Sequence, residues 1–346
     1  MKRLIKFLPL LILALAVVIR VLDPAPVEQL RLAAFDQLQK LQPRPYTALP
    51  VRIVDIDEQS LEVLGQWPWP RTVIADMLGK LERAGAAVVA FDVLFAEPDR
   101  TSPKKIITKW RGYLGTAQNQ ELTALAEKLP DHDEALAASL QRLPTVLGVM
   151  FDNTGVIPEM PKPKWSYARQ GEDPRAFLQT YTGAVKALDI LSAKTLGLGS
   201  INSTLDNDGI IRRVPLFVRL RSKRNFSGEV FPTLSVEALR VAQRASTYLL
   251  RSSGASGDET FGENIGLQQI RVGRIKVPTT GAGHIWLHDT GHVPERFISA
   301  IDVIESQSLR PMIRGNFVCV GTKPPGLRAN GRTALGPAVP GVEVDV

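Results

Sequence analysis

Two stretches of the chain hold the side chains best suited to chemistry. In residues 51–99 acids close two apolar runs. Asp55 and Asp57 end Val51-Arg52-Ile53-Val54, and Asp92, Glu97 and Asp99 follow Val88-Val89-Ala90-Phe91. Trp67, Trp69 and Arg71 lie between them in a Trp-Pro-Trp-Pro-Arg phrase. In residues 198–220, Asp206 and Asp208 precede Gly209 and the basic pair Arg212-Arg213. Carboxylates at the carboxyl ends of parallel strands sit where open α/β sheets place their ligands. An aromatic and cationic loop beside them would form a clamp. Two plainer readings stand next to this one: the acids cap the following helix or turn, and the tryptophans cover the core. We therefore expect Asp55, Asp57, Trp67, Trp69, Arg71, Asp92, Asp206 and Asp208 to be the ligand-binding residues, and assign no catalytic residue, metal ligand or cofactor.

Enzyme signatures are missing. The chain has no G-x-S-x-G, no H-E-x-x-H and no phosphate loop ending in Gly-Lys-Ser/Thr. Gly197-x-Gly199 lacks the third glycine of the dinucleotide fingerprint. His284, His288 and His292 recur every four residues, which on a helix would line one face and suit zinc. Their apolar neighbours favour a strand, where His284 and His288 would stand ~13 Å apart, too far to share an ion. A calcium loop around Asp206 and Asp208 would need acids where Thr204 and Pro215 stand. The enzymatic alternative is a membrane-anchored hydrolase with Asp55, Asp57, Asp92 and Asp208 as metal ligands and general base.

The elements that must position these groups read as strand, crossover, strand. Val51, Ile53, Val54 and Ile56, and then Val88 to Phe91 and Val93, form runs too short for helices and rich in β-branched residues, as in strands buried on both faces. They are expected to pair in parallel. Between them Ile74, Met77, Leu78 and Leu81 make one helical stripe, opened by Pro70 and stopped by Gly85.

The phrase V-D-I-D-E-x-S-L-x-x-L-G-x-W-P-W-P-R, followed by G-A-A-V-V-A-F-D-V-L-F-x-E-P-D, closely resembles the start of the type-2 CHASE domain, a bacterial extracytoplasmic sensory domain. Further matches to its pattern are Asn202, Asp206, Asp208, Gly209, Arg212 and Arg213, the Phe35-Asp36 pair, and the closing V-G-T-K-P-P-G-L and P-G-V-E-V. Arg328-Ala329-Asn330 and Asp345-Val346 depart from it. The resemblance implies an input module that detects a small solute or partner. Such domains are usually followed by membrane spans and a nucleotide cyclase or kinase output. This chain stops at Val346, so the output half is either absent from the sequence or a separate partner.

The remaining residues set the frame. The 346 residues, 44% hydrophobic and 22% charged, give ample core. The +7 charge is scattered, without a nucleic-acid motif, and no nucleic-acid partner is expected. Cys319 reads as a buried structural thiol. Residues 1–22 read as an export signal or anchor: Lys2, Arg3 and Lys6 precede thirteen uncharged residues, 7–19. That is shorter than the ~20 of a full span, extended by snorkelling of Lys6 and Arg20. An uncleaved anchor through residues 4–22 is preferred to cleavage, because Ala14-Leu15-Ala16 comes early and Pro24 and Pro26 spoil later sites. This puts the domain in the periplasm or outside the cell, held at the inner membrane.

Residues 23–50 read as a stalk helix over 27–41, striped by Leu30, Ala34 and Leu38, then a Pro-rich link, with the stalk a candidate for homodimer contact. Residues 51–346 form the sensory domain. Helices are expected over 120–129, 133–143, 231–242 and 297–307, and strands over 145–151, 270–277, 284–288 and 317–321. Residues 198–220 should form a hairpin about Asn207-Asp208-Gly209. Residues 100–133 read as an inserted flank helix, with lipid contact by Trp110 and Tyr113 the alternative, and 160–182 as an irregular surface excursion. The fold class is α/β: a mixed, largely parallel sheet flanked by helices, with an inserted β-hairpin, after an N-terminal membrane anchor helix.

Overall fold

The two apolar runs of residues 51–99 do form strands, β1 (Val51–Ile56) and β2 (Val88–Phe91), but they are not neighbours. In the computed structural model, which describes residues 9–18, 24–113, 115–221, 227–255, 265–306, 308–322, 332–336 and 341–344, a strand from the far end of the chain lies between them. The main sheet is built from β1, β2, β3 (Thr145–Asp152), β6 (Gly183–Val185), β7 (Gly197–Ser200), β15 (Phe297–Ser299) and β16 (Phe317–Thr322). Parallel pairs run β15 to β1, β1 to β16, β16 to β2, β2 to β3 and β3 to β7; β6 joins β3 antiparallel.

The strands are apolar without interruption because both sheet faces are covered. Val54, Ile56, Val89, Phe91, Val318 and Val320 point to one face. There they meet the stripe of α3 (Arg71–Ala84) and the buried side of α6 (His132–Leu140). Ile53, Val88, Ala90, Val146 and Cys319 point to the other, under α8 (Leu234–Ala242). At roughly 25 cal/mol per Å² of apolar area removed from water, these two layers are the main stabilising term of the domain. Gly85 stops α3 in the left-handed conformation, φ 85°. Gly197 and Gly199, the incomplete dinucleotide fingerprint, serve packing: a Cβ on Gly199 would lie 2.5 Å from Leu234 Cα.

A second layer of small sheets follows. One joins β4 (Ser166–Gln170), β11 (Thr247–Ser252), β12 (Leu267–Val272) and β13 (Ile275–Pro278); another joins β5 (Thr180–Tyr181), β9 (Phe217–Leu220) and β10 (Glu229–Pro232); β8 (Arg213–Pro215) pairs β14 (His284–Trp286). The segment expected to be a stalk forms α1 (Ala25–Leu41). The inserted α4 (Pro103–Trp110) and α5 (Thr116–Lys128) pack on each other, leaving Trp110 and Tyr113 exposed.

Several expectations are corrected. The hairpin of residues 198–220 does not form: β7 pairs β3 while β8 and β9 go to other sheets. Only the reversal itself is present, closed by Gly209 N–H to Asp206 O at 2.8 Å and Asp206 N–H to Ile210 O at 3.0 Å. Residues 58–64, to which no element is assigned from the sequence, form α2 (Glu58–Leu64), capped by Asp57. Residues 297–307 begin as β15 before α9 (Ala300–Glu305). Residues 160–182 hold β4, which finds its partner β11 some eighty residues later in the chain. The 270–277 run is split into β12 and β13 by the turn at Gly273, φ 56°.

Residues 9–18 are helical, and among the described residues no helix is long and apolar enough to cross a membrane. The rest of the expected anchor, residues 4–8 and 19–22, lies outside the described residues, as do Arg328-Ala329-Asn330 and most of the 251–266 loop.

Candidate functional site

The eight expected site residues fall into two sets. At the carboxyl ends of β1 and β2, Asp55 and Asp92 are buried. Asp57 accepts hydrogen bonds from Ser60 N–H (2.9 Å), Ser60 Oγ (2.6 Å) and Ser299 Oγ (2.9 Å), and Ser60 Oγ accepts from Ile301 N–H (3.0 Å). Its carboxylate therefore caps α2 and ties the end of β1 to the start of α9.

Trp69 is 2% exposed, donates Nε1–H to Gly65 O (2.7 Å) and meets Trp67 edge to face at 5.4 Å, both packed in the core. Arg71 is buried too. Its backbone N–H donates to Asp99 Oδ2 (2.7 Å), its Nη2 to Glu97 O (3.2 Å), its Nε lies 3.5 Å from Asp133 Oδ1, and its guanidinium covers the Phe95 ring at 4.7 Å. Burial pushes the Arg71 pKa down against the opposing pull of Asp133 and Asp99. Burial raises Asp99, but the Arg71 N–H and the Thr101 hydroxyl and N–H outweigh it and hold its carboxyl below the usual range.

The second set is assembled around Arg212, whose side chain is 2% exposed. Its Nε and Nη2 each donate to one oxygen of Asp36, both at 2.7 Å. Its Nη1 reaches Asp206 Oδ2 and Asp208 Oδ1 at 2.9 Å, and Nη2 also reaches Asp208 Oδ2 at 2.7 Å. Arg213 donates to the other oxygen of Asp206. Hydrogen bonds donated to Asp36 and Asp208, opposed by burial, raise the Arg212 pKa, and Arg212 in turn holds the Asp208 carboxyl low. Guanidinium to carboxylate pairs that meet in two parallel bonds are among the strongest polar contacts a protein makes.

The elements explain why these groups meet. The Asp206 to Gly209 reversal returns the chain into β8, so that Arg212 and Arg213 follow the acids directly. Trp286 of β14 lies opposite Arg213 in the ladder, and Leu287 N–H donates to Arg212 O at 2.8 Å. Trp286 carries Phe35 at 4.9 Å and Arg213 at 5.4 Å on its ring, and Gln39 Nε2 donates to Leu287 O at 2.6 Å. Thus one face of α1, Leu32, Phe35, Asp36 and Gln39, is fixed to the body. Asp36, Arg212, Phe35, Gln39 and Trp286 are absent from the expected site. The signal available was Phe35-Asp36, an aromatic and an acid on the helix face opposite Leu30, Ala34 and Leu38. A cavity of about 350 Å³ lies between α1 and the Asp206 turn, walled by Glu28, Leu32, Asp206, Arg213 and His284.

Asn202 bonds both polar groups of the Phe151 backbone, accepting from N–H at 2.8 Å and donating to C=O at 2.7 Å, which fixes the end of β3. The three late histidines are dispersed. His284 lies near Arg213, with its pKa lowered by burial and by that charge. His288 is exposed, and His292 bonds Glu343 at 3.0 Å. No group of three or more His, Cys, Asp or Glu comes together to hold a metal ion among the described residues.

The family model for the CHASE2 domain matches residues 11–346. The chain belongs to the CHASE2 domain family. CHASE2 domains are extracytoplasmic sensory domains rather than catalysts. No curated protein and no solved structure matches the chain. The match includes α1 together with the α/β body, in keeping with the contacts that bind α1 to Arg212.

Proposed function

We propose that this CHASE2 domain is an input module in which a small solute changes how the body holds α1, and that α1 carries the change through a membrane anchor at residues 4–22 to a cyclase or kinase output. The observation that carries this reading is the fork of Arg212 on Asp36. It is the main polar tie of the membrane-proximal helix, and it is made from the same reversal that holds Asp206 and Asp208. A ligand shifts such an equilibrium only by binding one arrangement better than the other, so a tie that can be held or released is the element it must bias.

The outward face of α1 supports a second copy of the chain as partner. Val27, Leu30, Ala34, Leu38 and Leu41 recur at intervals of three and four residues over four turns. Leu30 is 73% and Leu38 65% exposed, on the side away from Asp36 and Gln39. A seam of this spacing is self-complementary. The hydrolase alternative gains no support: Asp57 is engaged as a cap and Asp208 by Arg212.

The test uses the membrane-embedded protein with its output partner. Cys319, the only native cysteine, is buried, so a Gln39→Cys, Leu287→Cys pair can be bridged selectively with a short, reductant-cleavable bifunctional thiol reagent to pin α1 beside the end of β14. Output that becomes fixed on bridging and recovers with reductant agrees with the reading. Output that continues to respond with the bridge closed defeats it.

A further inference from the structure

A second cavity, of about 340 Å³, lies on the far side of β14 from the Asp206 turn, within the range of small-molecule sites. Its floor is apolar: Leu216, Leu239, Ile270, Val277 and Ile285 belong to β9's approach, α8, β12, β13 and β14. Its rim is polar and comes largely from the link after α1 and the 288–296 turn. The two rim carboxylates are already engaged. Asp289 accepts from Gly291 N–H (2.8 Å) and Thr333 Oγ1 (2.6 Å), and Glu343 accepts from His292 Nδ1 (3.0 Å) and Val293 N–H (3.1 Å). Arg296 is engaged as well, donating to Thr290 Oγ1 at 3.2 Å, 3.9 Å from Glu343 and stacked on Tyr46 at 5.1 Å.

Arg44 differs. Its backbone N–H donates to Asp289 O at 3.2 Å, which places the residue on the rim, but its guanidinium has no hydrogen bond or ion pair among the described residues. An apolar chamber with one uncommitted cation at its mouth has the chemistry to hold an amphipathic anion, with its chain on the floor and its head paired to the planar fork.

We propose that this chamber is the ligand site of the domain and takes a small amphipathic carboxylate whose head is bound by Arg44. The inference rests on the proposed sensory function and names its ligand class. It also supplies the connection: Trp286 and Leu287 line the chamber and are the residues that hold Phe35 and Gln39 of α1. The similar cavity under α1 is a weaker candidate, because its Arg212, Asp206 and Asp208 already satisfy one another.

Titration of the purified chain with octanoate, followed by calorimetry and Trp fluorescence, is the test. Saturable binding is expected, at least tenfold tighter than for octanol or octylamine. It should weaken at least tenfold in Arg44→Ala, an exposed link residue whose replacement leaves the core intact, and in Leu49→Trp, which narrows the mouth. Equal affinity for octanoate, octanol and octylamine, indifference to Arg44→Ala, or binding only to phosphatidylglycerol vesicles overturns the proposal. Hydrogen exchange of α1 separates it from the sensory reading. Octanoate that binds through Arg44 without changing α1 protection leaves the site standing and removes the coupling; exchange that responds to Asp36→Asn while octanoate fails to bind does the reverse.

Discussion

Asp36 and Arg212, 176 residues apart in the chain, meet fork to fork with two bonds of 2.7 Å. The arginine is nearly inaccessible to water and serves three carboxylates at once, so it cannot be replaced by a point charge without leaving acceptors unserved. Arg212→Lys is expected to lower stability by about 2–3 kcal/mol, and Asp36→Asn by less, since Asp206 and Asp208 still balance the guanidinium. Both should raise hydrogen exchange in α1 well before the sheet strands. Urea unfolding with exchange mass spectrometry checks this; equal loss of protection in α1 and β1 would speak against a selective tie.

A fully buried ion pair anchors α8. Arg240 donates to Glu237 through Nη2 (2.7 Å) and Nε (2.9 Å), and Tyr248 Oη donates to the same carboxylate. Burial drives the Glu237 pKa up against these partners. Glu237→Leu alone leaves the Arg240 charge and the Tyr248 hydroxyl without their carboxylate and should cost ~3–5 kcal/mol, whereas Glu237→Leu with Arg240→Met and Tyr248→Phe should recover most of that loss. Chemical denaturation of both variants decides it.

The outward stripe of α1 predicts self-association. Leu30→Asp with Leu38→Asp should leave the fold unchanged, because both side chains are exposed, and should shift the particle toward a monomer in sedimentation. A wild-type chain that is monomeric at all concentrations removes the stalk as a dimer seam.

Stability should fall in mild acid through His284. Its folded pKa is depressed, first by burial and then by the Arg213 charge, with Asp206 opposing. A depressed group contributes stability that is complete above its unfolded pKa, about 6.5 for histidine, and is lost as pH falls through the lower folded value. Denaturation midpoints should therefore drop between pH 7.5 and 5.5, and His284→Gln should shrink that difference. An unchanged pH slope in the variant would refute the assignment.

Local signals were read correctly where the chain's own neighbours decide. The stripe of Ile74, Met77, Leu78 and Leu81, the stop at Gly85 and the buried Cys319 follow from period, conformational freedom and composition. Non-local pairing was not legible. Nothing in Val51 to Phe91 says that Phe317 to Thr322 will lie between β1 and β2, and a good turn at Gly209 does not reveal that its two arms leave for different sheets. The capped helix at Glu58 was legible in principle, since Asp57 and Ser60 carry the spacing of an N-cap. At the candidate site, Asp206 and Asp208 stand out in the sequence as ligand residues, yet in the structure their carboxylates pair with Arg212 and Arg213. Their significance depended on Asp36, which only the packing of α1 brings to them.

The placement of β16 has a consequence for biogenesis. The midline strand of the main sheet is synthesised after every other strand of that sheet, so every fragment ending before Phe317 has a gap where its two best-hidden ribbons should be joined. Delivery of an extracytoplasmic domain of this topology must therefore bring residues 51–322 across the bilayer before the native sheet can close. Until then the early apolar segments stay open to association with their neighbours.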